Sequence, residues 1–152
     1  MRRIGMADCD AVAALIREAF AHVSVAVVPP LSALRETGAA IAAILAAGGG
    51  GAGIEGDGRL VAACVWQARE GGLYFGRLAV HPAHRRLGYG RALLAEAERE
   101  ARARGVPRLL LSTRLALADN RRMFAAAGFA EVGVQAHAGF EHPTFVDMEK
   151  RL

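Results

Sequence analysis

A single lysine, Lys150, stands in the whole chain, although arginine is plentiful enough to leave a formal net charge of +4. That scarcity excludes a P-loop, whose string Gly-x-x-x-x-Gly-Lys-Ser/Thr occurs nowhere. Cysteine is nearly as rare. Cys9 and Cys64 sit in unrelated contexts, with no Cys-x-x-Cys or Cys/His spacing, which excludes a zinc ribbon or a disulfide framework. The pair reads as two reduced, partly buried thiols of a cytoplasmic protein, with no metal expected. Aromatic residues make up 6% of the chain and the basic residues are scattered, which argues against a nucleic-acid partner. Asp8 and Asp10 interrupt the apolar stretch that a signal peptide would need after Arg2 and Arg3. One uncharged run, Gly38 to Ile54, is rich in alanine and glycine. It falls short of the ~18–20 strongly apolar residues of a membrane span, so no membrane partner is expected. Its Gly48 to Gly51 cluster is read as a helix stop.

What is present is a globular composition, 53% hydrophobic and 22% charged over 152 residues, enough for one domain spanning 1–152 with a sizeable core. Arg3 to Met6 reads as a short first strand, and Asp8 as the cap of a helix carrying Val12, Leu15, Ile16, Ala19 and Phe20 at helical spacing. Ser32 is the candidate cap of a second helix, with Leu34, Ile41, Ile44 and Leu45 toward the core. Ile54–Glu55 and Leu60–Gln67 flank Gly56-Asp57-Gly58 as a hairpin. A turn at Gly71-Gly72 leads to the strand Leu73–Val80. A helix follows from about Gly88 to Arg104, then the strand Leu109–Ser112. A short helix capped by Asp119 or Asn120 turns Met123, Phe124 and Ala127 inward. Val132–Gln135 and Thr144–Met148 read as the last strands. The order β-α-α-β-β-β-α-β-α-β-β predicts a mixed α/β domain of α+β type, with a mixed central sheet and helices on both faces. Leu73–Ser112 is a strand–helix–strand unit, so its two strands should lie parallel with a right-handed crossover.

The richest stretch is Leu78-Ala-Val80-His-Pro-Ala-His-Arg85-Arg86-Leu87-Gly88-Tyr89-Gly90-Arg91. An apolar strand runs into a short basic loop with two glycines, and then into a long helix. The first N–H groups of a helix lack intrahelical partners and carry the positive end of its dipole. Glycine lets that backbone approach a phosphate, and Arg85, Arg86 and Arg91 add charge. A dinucleotide fingerprint is excluded, because Gly88-Tyr-Gly90-Arg-Ala-Leu93 lacks the third glycine and the next strand offers no acid.

Arg85-x-x-Gly88-x-Gly90 resembles the Arg/Gln-x-x-Gly-x-Gly/Ala motif of the GNAT superfamily of acyl-CoA-dependent N-acyltransferases. Gly76-Arg-Leu-Ala-Val80-His-Pro before it fits the same family, as does Ala118-Asp-Asn120-Arg-Arg-Met-Phe124-Ala-Ala-Ala-Gly128-Phe129 after it. The order of elements matches the family fold over nearly the whole chain. The resemblance implies acetyl-CoA as co-substrate and an amine as acceptor, and is compatible with a homodimer. It implies that Leu78, Ala79 and Val80 lie along the pantetheine arm, with the backbone groups of Leu78 and Val80 pairing to it. The N–H groups from Arg86 to Arg91, through Leu87, Gly88, Tyr89 and Gly90, would hold the diphosphate. Arg85, Arg86 or Arg91 would reach the phosphates. Asn120 would hydrogen-bond the arm, and Phe124 would lie near the thioester or pack on the arm.

No pattern in the sequence assigns a catalytic residue. Many members of the family place a tyrosine, as acid, four residues before the glycine of Gly-Phe. This chain has Phe124 there, which cannot donate a proton. Tyr74 and Tyr89 are alternatives by residue type only. His81, His84, Glu55 and Glu70 read as solvated or loop positions, and Trp66 as core packing. His137, Glu141 and His142 cluster in the last turn, which in this fold approaches the acceptor site. The apolar segment His22–Glu36 should cover that site and favour a small, partly apolar amine over a polycation. A non-catalytic acyl-CoA-binding or sensing module is the alternative, since it would keep the loop without the transfer chemistry.

Overall fold

A two-residue turn after Gly56 makes the first hairpin of the sheet. In the computed structural model, which describes residues 1–152, Asp57 and Gly58 both take positive φ, 54° and 75°. That backbone is the two-residue turn whose twist matches its flanking strands. It joins β2 (Gly50–Gly56) to β3 (Arg59–Arg69), and the turn at Glu70–Gly71 leads into β4 (Gly72–Val80). With β1 (Arg2–Arg3), β5 (Arg108–Arg114), β6 (Ala130–Gln135) and β7 (Phe145–Arg151), these strands form one seven-stranded sheet in the order β1-β2-β3-β4-β5-β7-β6. Only β4 and β5 pair in parallel.

Alternation along β3 divides the core in two. Ala63 and Val65 face α1 (Cys9–Ala21) and α2 (Gly38–Ala46), packing with Val12, Ile16, Ala19 and Ile41. Cys64 and Trp66 face the opposite way, against Leu93, Leu94, Ala97 and Ala101 of α3 (Tyr89–Ala103) and Phe124 of α4 (Ala118–Ala126). The sheet is therefore covered by helices on both faces, as the order of elements predicts. No helix is long and apolar enough to cross a membrane.

Several local expectations are corrected. Ser32 opens a single 3-10 turn, Ser32–Arg35, and its hydroxyl accepts from Arg77 instead. Thr37 caps α2, its hydroxyl accepting from the Ala40 N–H at 3.1 Å. Leu34 is left exposed. Gly48 alone ends the helix with positive φ, while Gly50 and Gly51 belong to β2. A Cβ on Gly50 would sit 2.7 Å from the Trp66 indole nitrogen, and one on Gly51 closer still to the Cys64 carbonyl oxygen of the neighbouring strand, so close packing demands those glycines. Asp8 does not cap α1. Its carboxylate accepts from the Gly5 N–H and from Arg2, and the Arg2 guanidinium holds its pKa down to about 2. β1 is confined to Arg2–Arg3. α4 starts at Ala118 without a side-chain cap, so Asp119 and Asn120 are free of that task, and Met123 stands half-exposed rather than inward.

Two irregularities shape the middle of the sheet. β4 and β5 pair only at Leu73–Leu109 and Tyr74–Leu110, and beyond that point they part. On the other side of β4 the register jumps from Ala63–Ala79 to Val65–Gly76, so Arg77 and Leu78 together oppose Cys64. Arg77 sits at φ 52°. Such a bulge bends the strand and re-aims its side chains.

Candidate functional site

The loop after β4 is built from the main chain. His81 caps the 3-10 turn Pro82–His84, its Nδ1 accepting from the Ala83 N–H at 3.1 Å. Arg86 and Gly88 then take positive φ, 65° and 81°, immediately before α3. Left-handed residues at a helix start gather N–H groups into an anion-binding concavity. The backbone N–H groups of Arg85, Arg86, Leu87, Gly88, Tyr89, Gly90 and Arg91 donate to nothing within the chain; the first helical bond in this region is Ala92 to Gly88. A Cβ on Gly88 would meet no atom within 4 Å, so the space beside it is open to a ligand.

These donors edge a groove of about 790 Å³, running from the loop along β4 to α4. Val80 pairs with Ala62, and the His81 N–H bonds the Val61 carbonyl. By the alternation of an antiparallel ladder, Val80 and Leu78 turn their N–H and C=O groups away from β3, toward the side that β5 has left. Leu78, Val80, Arg85, Arg86, Gly88, Tyr89, Gly90, Arg91 and Asn120 all line the groove. Three expected residues do not, and the first of them, Phe124, lines the adjoining cavity instead. The Ala79 methyl is buried against α1 and its backbone is paired with Ala63. The Leu87 side chain is exposed outside the groove. Arg85 is partly engaged, since its guanidinium donates to the Ala19 carbonyl at 2.9 Å and fastens the end of α1 to the loop. No hydrogen bond or ion pair holds the side chains of Arg86 and Arg91 within the chain. His84, expected to decorate the surface, instead lines the groove with its Nδ1 enclosed and unpartnered.

Where β4 and β5 part, a second cavity of about 330 Å³ opens, and Leu78, Leu117, Asn120 and Met123 line both spaces. Phe124 lines this cavity, edge-on to Phe129 at 5.8 Å. Leu31, Ser32 and Ala33 roof it, while Val23, Ser24 and Val25 lie over the groove, so the segment expected to cover one site covers two. Tyr74 lines the cavity beneath the Arg69 guanidinium, whereas Tyr89 lines the groove. Of the last-turn cluster, only His137 enters; Glu141 and His142 are exposed outside it. The His137 ring bonds the Thr144 hydroxyl through Nδ1 and stands edge-on to Phe145 at 4.8 Å. Burial, with the Arg114 charge adding, lowers its pKa below the ordinary imidazole value of 6.5. It is therefore a neutral base at neutral pH. His81 is turned aside, with Nε2 3.0 Å from a Glu18 oxygen. Glu55 pairs with Arg2, and Trp66 is core.

Residues from β5 and β7 complete the cavity and were absent from the sequence-based set: Ser112, Thr113, Arg114 and Phe145, together with Arg77 of the bulge. The Ser112 hydroxyl donates to Asp147 at 2.6 Å. The period of two along β5 was the available signal, since it puts Ser112 and Arg114 on one face. No aspartate or glutamate lines this cavity.

The acetyltransferase (GNAT) family model matches residues 33–129. Among solved structures, the ribosomal-protein-S18-alanine N-acetyltransferase of Escherichia coli superposes with a TM-score of 0.78 at 20% identity, covering 99% of this chain and 91% of that one. The ribosomal-protein-alanine N-acetyltransferase of Brucella melitensis gives 0.76 at 22% identity, covering 99% and 98%. A Salmonella typhimurium protein solved with its cofactor acetyl-CoA gives 0.74 at 20% identity, covering 99% and 91%. These likenesses concern the fold. No curated protein sequence matches the chain.

Proposed function

The chain belongs to the GNAT acetyltransferase family, and from that premise we propose that it moves an acetyl group from acetyl-CoA directly to an amine. The observation that carries this reading is the run of unbonded N–H groups from Arg85 to Arg91, opening on a groove that continues into a cavity holding a neutral imidazole. The residues fit the co-substrate: a concave set of donors with Arg86 and Arg91 beside it matches a diphosphate. Acetyl-CoA, when bound, supplies an acetyl carbonyl activated by its thiol leaving group.

The chain's own residues do the rest. The N–H groups of Arg86 to Arg91 hold the diphosphate. Leu78 and Val80 offer a free strand edge to the amides of the pantetheine arm, as an added strand would be held. Asn120, shared by both spaces, hydrogen-bonds the arm near its reactive end. Leu78 also lines both spaces, which supports its N–H as the donor that polarises the carbonyl. The acceptor must arrive as a neutral amine, and deprotonating a lysine-like amine at pH 7 costs about 4–5 kcal/mol. His137, with Nδ1 engaged by Thr144, keeps Nε2 to accept that proton. Phe124 has no proton to give, so the sulfur would leave as the thiolate, without help from that position. Positioning can supply up to ~7–11 kcal/mol, which lets so sparse an acid–base apparatus suffice. Cys9 and Cys64, free and buried, support a reducing, cytoplasmic setting.

The test is thiol release from acetyl-CoA across a panel of amines. Release of CoA matched by N-acetylated product, and dependent on the amine, is expected. Thermal stabilisation by CoA with no release for any amine would overturn the reading in favour of a binding module.

A further inference from the structure

We propose that the acceptor is an amine carrying a carboxylate a few bonds from its nitrogen, and that Arg114 holds that carboxylate. The inference rests on the N-acetyl transfer reading above. Arg114 closes β5 at the rim of the acceptor cavity. Its Nη1 donates to the Pro29 carbonyl at 2.6 Å and its Nη2 to the Pro30 carbonyl at 3.1 Å. Both partners are neutral, and burial alone perturbs the group, lowering its pKa with no carboxylate acting against that. A guanidinium has five N–H donors, so three remain for a ligand. Desolvating a cation without a counter-charge is costly, and an incoming anion recovers that cost.

The other arginine of the cavity makes the contrast. Arg77 is already neutralised: its Nε donates to Glu36 at 2.6 Å and its Nη2 to Ser32 at 3.1 Å. Arg114 is thus the one uncompensated cation in a cavity that no aspartate or glutamate lines. A polyamine would meet only like charge there, whereas a carboxylate meets a fork suited to bidentate pairing. Arg114 lies close enough to His137 for its charge to be felt at the imidazole. Proton acceptor and anion site therefore stand side by side, as they must if amine and carboxylate belong to one small molecule. A volume of about 330 Å³ sits at the low end for small-molecule sites. An α-amino acid satisfies these demands. So does a peptide N-terminus followed by an acidic residue.

The experiment compares kcat/KM for common α-amino acids with their α-amides, and for short peptides with an acidic or a neutral second residue. A charged hydrogen-bonded pair predicts a preference of roughly ten- to a hundredfold for the carboxylate-bearing partner. Preference among the free amino acids assigns the anion to a free acid, and preference confined to the peptides assigns it to the acidic second residue. Arg114→Gln should bring the acid-to-amide ratio of kcat/KM to about one, and Arg114→Lys should retain part of the preference. Amides accepted as well as acids by the parent protein, or a preference surviving in Arg114→Gln, would overturn the proposal. Calorimetry separates its failure from that of N-acetyl transfer. Titrating N-acetyl amino acids and their amides into CoA-saturated protein reads the anion site without turnover. Tighter binding of the acids, lost in Arg114→Gln, upholds the site even if no amine is acetylated; equal binding sinks it.

Discussion

The groove and the cavity that it joins are made of different material. The groove is main chain: unbonded N–H groups at the start of α3 and an unpaired edge of β4. The cavity is side chain: His137, Arg77, Arg114, Ser112 and Phe124, drawn from a bulge, one strand, a turn and a helix. Main-chain recognition depends on backbone torsion and tolerates almost any side chain that permits it. Side-chain recognition depends on identity and can be rewritten one substitution at a time. The same chain can therefore hold a fixed co-substrate with one half of its site and adapt to an acceptor with the other.

The sharpest way to break this comparison is Gly88→Val. Gly88 sits at φ 81°, a region that L-residues enter at a cost of about 1–2 kcal/mol and that is worse for a β-branched one. A shift in that torsion turns the neighbouring N–H groups out of the concavity. CoA affinity should fall a hundredfold or more by calorimetry. No atom lies within 4 Å of the new Cβ, so the melting midpoint should drop only a few degrees. Unchanged CoA affinity would refute the main-chain account of the groove.

On the cavity side, His137→Gln should lower kcat roughly ten- to a hundredfold and leave CoA affinity unchanged. That loss is at the lower end for a general base, because positioning carries most of the rate. The pH profile is more specific. The His137 pKa is lowered from 6.5, so the neutral, proton-accepting form persists below that value. The rate should fall only as pH drops through the lowered pKa. His137→Gln should flatten that limb, measured with a weakly basic acceptor that stays neutral across the range. The same shift makes the folded state bind fewer protons than the unfolded chain around and below pH 6.5, so this group's contribution favours folding above that value and is lost as pH falls.

The contrast also explains what was legible in the sequence. Gly88, Gly90 and the arginines around them announce the groove, because a backbone that must approach an anion needs particular residues at particular spacings. The order of elements was legible for the same reason, through period and turn chemistry. The cavity was not. Arg114 and Ser112 reach it only because β5 parts from β4 after Tyr74, and His137 only because β7 pairs with β5 from Arg108–Arg151 to Arg114–Phe145. Those registers join segments far apart in the chain, and no local string encodes them. Ser32 illustrates the limit at close range: as a cap it competes with Thr37, and an arginine from the β4 bulge decides the contest.

Leu87→Ala gives the smallest expected effect and sharpens the comparison most finely. Leu87 stands inside the loop motif and its N–H is among the unbonded donors. Its side chain is 60% exposed and lines neither space. If the groove recognises its ligand through the backbone, truncating this side chain should change CoA affinity less than twofold and stability by no more than about 0.5 kcal/mol. Alanine keeps the N–H and can take the same torsions, whereas proline would delete the donor. Leu87→Pro should therefore weaken CoA binding where Leu87→Ala does not. A loss in the alanine variant approaching that of Gly88→Val would mean that the side chains of the loop, and not its amides, do the holding.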